Sequence, residues 1–258
     1  MKEIMTKEYI LECLERYCCF DMLHQYSFEE QVVNQLKANQ CFNNWTWDTG
    51  ATKGVLIFSE LNFVVKIPFS GWEEYEESHY ENSRGSHKWY YSGTHMPSKW
   101  VKIEGEEKFY DFSGARCYNN EDEWNYCQAE TELAVRAKEA GLASCFAITS
   151  LLGLANGYPI YIQDRCSIFS DEESTTNKEK YKNRTKADYK SLREVRERVD
   201  FWSIDDNWLL DFLIYFGEEM LRDLTNFIFD NNIEDLHNGN IGYIKGVPCL
   251  VDYSSYYE

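Results

Sequence analysis

The first forty residues repeat apolar positions at helical spacing. The stretch YILECLERYCCF (9–20) predicts one amphipathic helix, and SFEEQVVNQLKANQ (27–40) predicts a second, opened by Ser27 and Glu30 placed as a capping box. From Cys41 the period changes: Trp45 and Trp47 alternate with polar residues, and two apolar runs, VLIF (55–58) and FVVKI (63–67), flank the short polar SELN. This pattern predicts a β-hairpin. Between about residues 70 and 120 no period persists, although KWVKIEG and EKFYDF read as strands in an aromatic, Glu-rich insertion. EDEWNYCQAETELAVRAKEAG (121–141) predicts a helix with Tyr126, Ala129, Leu133, Ala137 and Ala140 on one stripe and Gly141 as its C-terminal cap. Two strands joined by the turn LANGYP follow, in 144–166. A long helix is predicted over DDNWLLDFLIYFGEEMLRDLTNFIFDNN (205–232). Leu209, Phe212, Leu213, Phe216, Met220, Leu224, Phe227 and Ile228 fall on its buried side.

Composition narrows the class. Forty-three per cent hydrophobic residues in 258 is enough for one large core or two modest ones. A formal charge of −18 argues against general binding to a nucleic-acid backbone. Its plain use is solubility; it also permits a less usual role, an acidic decoy for a partner protein with a basic surface, such as a nucleic-acid-handling or defence complex. Within this acidic chain, Lys178 to Arg198 holds nine Lys/Arg against four Asp/Glu, the pattern of a solvated helix face or a docking site for an acidic partner. Nine scattered cysteines, with no C-x-x-C pair, point to reduced thiols rather than a zinc cluster. Acidic residues interrupt every apolar run near the N-terminus, and no long uncharged apolar run occurs, so the expectation is a cytoplasmic protein without a membrane span.

The last segment, IEDLHNGNIGYIKGVPCLVDYSSYYE (233–258), concentrates the chemistry. Asp235 and Asn240 are five apart, and Asp252 ends an apolar strand twelve residues after Asn240. Phosphoryl transfer uses groups of these types: a carboxylate to orient the attacking hydroxyl, and an amide with a second carboxylate to hold magnesium. IGYIKGVPCLV reads as a tight hairpin that folds Asp252 back beside the Asp235–Asn240 loop.

Here the chain resembles the protein-kinase-like superfamily, particularly its aminoglycoside and choline kinase and RIO-type branches, which carry aspartate-leucine-histidine in this loop. GATKGVLIF is similar to an abbreviated glycine-rich loop, which makes Gly50, Thr52, Lys53 and Gly54 candidate contacts for ATP. FVVKIPF resembles the strand with the phosphate-contacting lysine, here Lys66. The helix after it would supply the ion-pair glutamate. Glu130 lies about sixty degrees from the centre of the apolar stripe and Glu132 about a hundred, so Glu130 is the choice. IYIQDR, with Gln163, occupies the place of the hinge that hydrogen-bonds adenine through its backbone. The resemblance implies that Asp235 orients the acceptor hydroxyl, His237 supports the catalytic loop, and Asn240 and Asp252 bind Mg2+. It implies an α+β, bilobal kinase-like fold with a minimal, truncated C-terminal lobe. The expected organisation is a helical extension over 1–40, an N-lobe over 41–163 interrupted by the insertion at about 70–120, and a C-lobe over 164–258.

Two departures stand out. Tyr253 and Ser254 follow Asp252 where protein kinases have phenylalanine and glycine, and the sequence ends six residues after Asp252. The expectation is therefore a chain without activation segment or later helices, similar to short kinase-like reading frames of bacteriophages, acting in the host cytoplasm on a protein (itself included) or small-molecule hydroxyl. The competing reading is a catalytically weak or inactive binding protein on the same fold.

Overall fold

The computed structural model describes residues 5–21, 23, 25, 27–50, 52–69, 72–77, 87–92, 99–103, 106–110, 126–168, 193, 206–233, 236 and 238–253, with backbone alone for 72–110, 168, 206–208 and 238. Within these the protein is α+β. The chain divides into two compact units, Met1–Gln128 with Leu151–Ile162, and Ala129–Ser150 with Gln163–Glu258. No helix among the described residues is long and apolar enough to cross a membrane.

In the first unit, helix α1 (Lys7–Tyr17) begins at Thr6, whose side chain accepts from the Tyr9 N–H at 3.2 Å. The second helical stretch opens as a π turn, Glu29–Val33, before α2 (Asn34–Ala38). The Ser27 hydroxyl donates to Gln31 Oε1 at 3.2 Å, and no side-chain hydrogen bond caps the turn at Phe28. The expected regular helix with a capping box therefore gives way to a wider turn.

The main sheet runs β1-β2-β3-β9-β8, with β1 (Trp45–Thr49), β2 (Lys53–Phe58), β3 (Phe63–Pro68), β8 (Thr149–Ala155) and β9 (Tyr158–Asp164). β1 pairs antiparallel with β2 and β2 with β3. Asn156 (φ 53°) and Gly157 (φ 81°) make the β8–β9 turn, both left-handed as a two-residue hairpin turn requires. One face of the β2–β3 hairpin carries Leu56, Phe58, Val65 and Ile67 into a core completed by Ile10, Leu14, Phe28, Val32, Val33 and Leu36. The N-terminal helices exist because this face needs a cover.

The insertion holds two separate antiparallel hairpins: β4 (Trp72–Glu77) with β5 (His87–Ser92), and β6 (Lys99–Ile103) with β7 (Glu106–Tyr110). The second pair lies where strands were expected. The first lies where the Glu- and Tyr-rich sequence shows no clear period.

In the second unit, α3 (Tyr126–Glu139, counted here from Ala129) buries Ala129, Leu133 and Ala137, while Ala140 is exposed and drops off the expected stripe. Gly141 (φ 76°) closes it, and the Leu142 N–H returns to the Ala137 carbonyl at 2.7 Å. Helix α4 (Asp206–Asp230) is broken at Gly217 (φ 84°, ψ 171°). The predicted long helix is thus two helical pieces. Apolar spacing continues through both, which hid the break from the periodicity. Leu209, Phe212, Leu221, Leu224 and Ile228 join Leu133, Phe146, Leu236, Ile241, Leu250 and Tyr253 in a second core. β10 (Ser167–Ile168), β11 (Ile241–Ile244) and β12 (Val247–Leu250) form a small sheet in that order.

The expected helical extension at 1–40 belongs to the first unit, and α3 from Ala129 groups with the C-terminal part. The eight described cysteines are free thiols. Burial pushes those of Cys18 and Cys145 up to about 12, which keeps them protonated at neutral pH.

Candidate functional site

The candidate residues fall into two groups, one in each unit. In the first unit, Gly50 and Thr52 occupy the β1–β2 turn, where the Gly50 N–H donates to the Lys53 carbonyl at 3.0 Å. The Phe69 N–H donates to the Thr52 carbonyl at 2.9 Å, tying the turn to the end of β3. Strand alternation gives β2–β3 a second face, opposite the covered one. On it stand Lys53, Val55 and Ile57 from β2 and Val64, Lys66 and Pro68 from β3, with Val55 directly across from Lys66. Val55, Ile57 and Val64 are half-buried, while Lys53 and Lys66 are only 5% and 3% exposed. Two buried ammonium groups among valines make this face both cationic and apolar, a surface chemically suited to a nucleotide's phosphates and base.

Gly54 has a different explanation from its neighbours. It lies within β2, not in the turn, and a Cβ there would come within 2.2 Å of the Phe28 ring. Packing against the N-terminal cover accounts for this glycine.

The second group is built on a buried hydrogen-bond network. Glu130 is fully buried on α3, whereas Glu132 is exposed. Glu130 Oε2 accepts from the Thr149 hydroxyl at 2.8 Å. Thr149 Oγ1 in turn accepts from Gln163 Nε2, also at 2.8 Å. The same Gln163 amide donates to the Val251 carbonyl at 2.5 Å and lies 3.2 Å from the Ala147 carbonyl. Tyr253 completes the network: its hydroxyl donates to the Ala147 carbonyl at 2.9 Å and accepts from the Thr149 N–H at 3.2 Å. Its ring stands edge-on to Phe146 at 4.9 Å. Burial first, and then the nearby charge of Glu130, push the Tyr253 phenol far above its ordinary value, so it stays a neutral donor.

Lys245 (φ 53°) and Gly246 (φ 84°) turn β11 into β12. The register pairs Ile241 with Leu250, and the Val251 N–H donates to the Asn240 carbonyl at 2.9 Å. This closure brings Asn240, 7% exposed, and half-buried Asp252 to the same open end of the hairpin. Asp235 and His237 lie outside the described residues. Leu236, between them, is fully buried in the second core.

No protein-family model matches the chain, and neither a curated protein nor a solved structure matches it.

Asn240 and Asp252 supply an amide and a carboxylate oxygen, the hard donors that magnesium prefers, so the residues present fit that ion. Among the described residues no three His, Cys, Asp or Glu side chains gather as a metal-holding group. The Gln163 side chain, 1% exposed, is spent inside the network, while the hinge resemblance calls only on its backbone. Thr149 and Tyr253 were not singled out by sequence. The visible signal for Tyr253 was its departure from the phenylalanine expected after Asp252. Thr149 carried none.

Proposed function

We propose that the chain is an ATP- and Mg2+-dependent phosphotransferase of the protein-kinase-like superfamily, with a bilobal fold and a minimal C-terminal lobe. The observation that carries this reading is the β11–β12 hairpin, which sets Asp252 beside Asn240 through the Val251–Asn240 hydrogen bond. Two further features support it. The Lys66 face of β2–β3 combines buried cations with half-buried valines, and of the two candidate glutamates Glu130 alone is buried and hydrogen-bonded by Thr149. Buried carboxylates and ammonium groups are costly unless compensated, so residues of both kinds held inside a protein are expected to have a use.

In this reading Lys66 holds the phosphates, Glu130 fixes Lys66, and the Gly50–Lys53 turn covers the nucleotide. Asn240 and Asp252 hold the metal, whose charge offsets that of the phosphates when it is bound. Asp235 accepts or orients the proton of the acceptor hydroxyl, supported by His237. The acceptor is a hydroxyl on a protein or a small molecule.

The test separates binding from transfer. Mg-ATP should raise the melting temperature of the wild-type chain, since a ligand at a hundredfold over its dissociation constant stabilises by about 2.7 kcal/mol. Asp252→Asn should lose that magnesium-dependent shift. Asp235→Asn should keep it while slowing label transfer from ATP by roughly a hundredfold. Absence of any shift at millimolar nucleotide would sink the proposal and leave the acidic binding protein, charge −18, as the better account.

A further inference from the structure

Asp252 lies between two residues that are each held by buried groups. Val251 is held twice, its N–H by the Asn240 carbonyl and its own carbonyl by the Gln163 amide. Tyr253 is held by its hydroxyl, which bridges the Ala147 carbonyl and the Thr149 N–H, and by its ring against Phe146. Ala147 is itself fixed, its N–H donating to the Leu250 carbonyl at 2.7 Å. Tyr253 is 1% exposed and Gln163 likewise, so water does not stand ready to replace these bonds. To swing Asp252 away, the chain would have to strip several buried donors and acceptors at once.

We infer that Tyr253 and Gln163 are positioning residues that lock Asp252 in one metal-ready arrangement, so that this loop holds its carboxylate permanently and does not switch. The inference rests on the phosphotransferase reading and adds to it how the metal ligand is regulated, which is not at all. A phenylalanine at 253 would fill the same space against Phe146 but take the hydroxyl from the Thr149 N–H and leave the Ala147 carbonyl only the longer contact from the Gln163 amide at 3.2 Å. The hydroxyl is therefore the element that distinguishes a lock from simple packing. Gln163 contributes the second, independent hold through Val251.

The experiment titrates Mn2+ into the full chain with a saturating non-hydrolysable ATP analogue, following free manganese by electron paramagnetic resonance. Tyr253→Phe and Gln163→Leu should each weaken manganese uptake tenfold or more. For Tyr253→Phe, affinity for the analogue in EDTA should stay within twofold of wild type. Phe146→Leu loosens the same ring contact without touching a hydrogen bond to the loop, and it should keep wild-type manganese affinity. If one of the two loop variants fails to fold, the other decides alone. Wild-type manganese affinity in the loop variants overturns the inference, and so does an equal loss in Phe146→Leu, which would reduce Tyr253 to packing. A wild-type chain that takes up no manganese with the analogue defeats the phosphotransferase reading itself, and this inference with it.

Discussion

The two units bury polar groups in opposite ways. In the first, the core between the N-terminal helices and the sheet is made of aliphatic and aromatic side chains and thiols, and the buried charges, Lys53 and Lys66, stand on the other face of the β2–β3 hairpin. In the second, Glu130, Thr149 and Gln163 lie inside, bonded to one another and to Tyr253, a residue that also belongs to the apolar core. The first unit is specified by shape. The second is specified also by the pairing of donors with acceptors, which tolerates fewer alternatives because an unpaired buried group is penalised. A rigid apolar frame behind two lysines, and a directional network behind an aspartate, are different solutions to holding a charged side chain still.

The largest effect that this contrast predicts is in the shape-specified unit. Phe28 is fully buried, with ring centroids 5.8 Å from Phe69 and 6.1 Å from Trp47, and it fills the space above Gly54. Phe28→Ala should destabilise by about 3–5 kcal/mol, the usual cost of emptying an aromatic site. Denaturant unfolding followed by tryptophan fluorescence measures it, since Trp47 borders the cavity. A loss below about 1 kcal/mol would mean that the helices do not depend on this contact, and the contrast in packing would collapse.

A smaller effect belongs to the network. Thr149→Val keeps the side chain's shape but removes the donor to Glu130 and the acceptor for Gln163. The expected cost is about 1–3 kcal/mol, from polar groups left buried without that partner. Thr149→Ser retains the hydroxyl and should recover most of the loss. An undisturbed valine variant beside a destabilised serine variant in thermal unfolding would show that the methyl group matters and the hydrogen bonds do not.

Legibility in the sequence followed the same division. The hairpins at Asn156-Gly157 and Lys245-Gly246 were readable because turn chemistry is local: two left-handed residues between apolar runs leave few choices. The α3 helix and the β2–β3 strands were readable from period. The break at Gly217 was not, because apolar residues keep helical spacing on both sides of it and a single glycine is often tolerated within a helix. The network was least readable of all. Thr149 meets Glu130 across 19 residues and Tyr253 across 104, and such pairings leave no periodic trace. Gln163 stands out in the sequence for its place in the hinge-like IYIQDR, whereas its side chain spans to Val251, 88 residues away.

The smallest expected effect is also the sharpest comparison within one helix. Glu130 and Glu132 are two residues apart on α3, so the helix turns them about 200 degrees from each other. One is fully buried with a threonine donor at 2.8 Å, the other is exposed. Glu132→Gln replaces a solvated carboxylate with a solvated amide and should change stability by no more than about 0.5 kcal/mol, the range of ordinary surface substitutions. It should also leave magnesium-dependent ATP stabilisation unchanged. Glu130→Gln preserves size but puts a neutral amide where the network presents a carboxylate to Thr149, and in the proposed function it removes the charge that fixes Lys66. Label transfer should fall in Glu130→Gln and persist in Glu132→Gln, measured side by side on the same preparation of labelled ATP. The reverse order would move the ion-pair role to Glu132 and leave Glu130 as a structural acceptor for Thr149 alone.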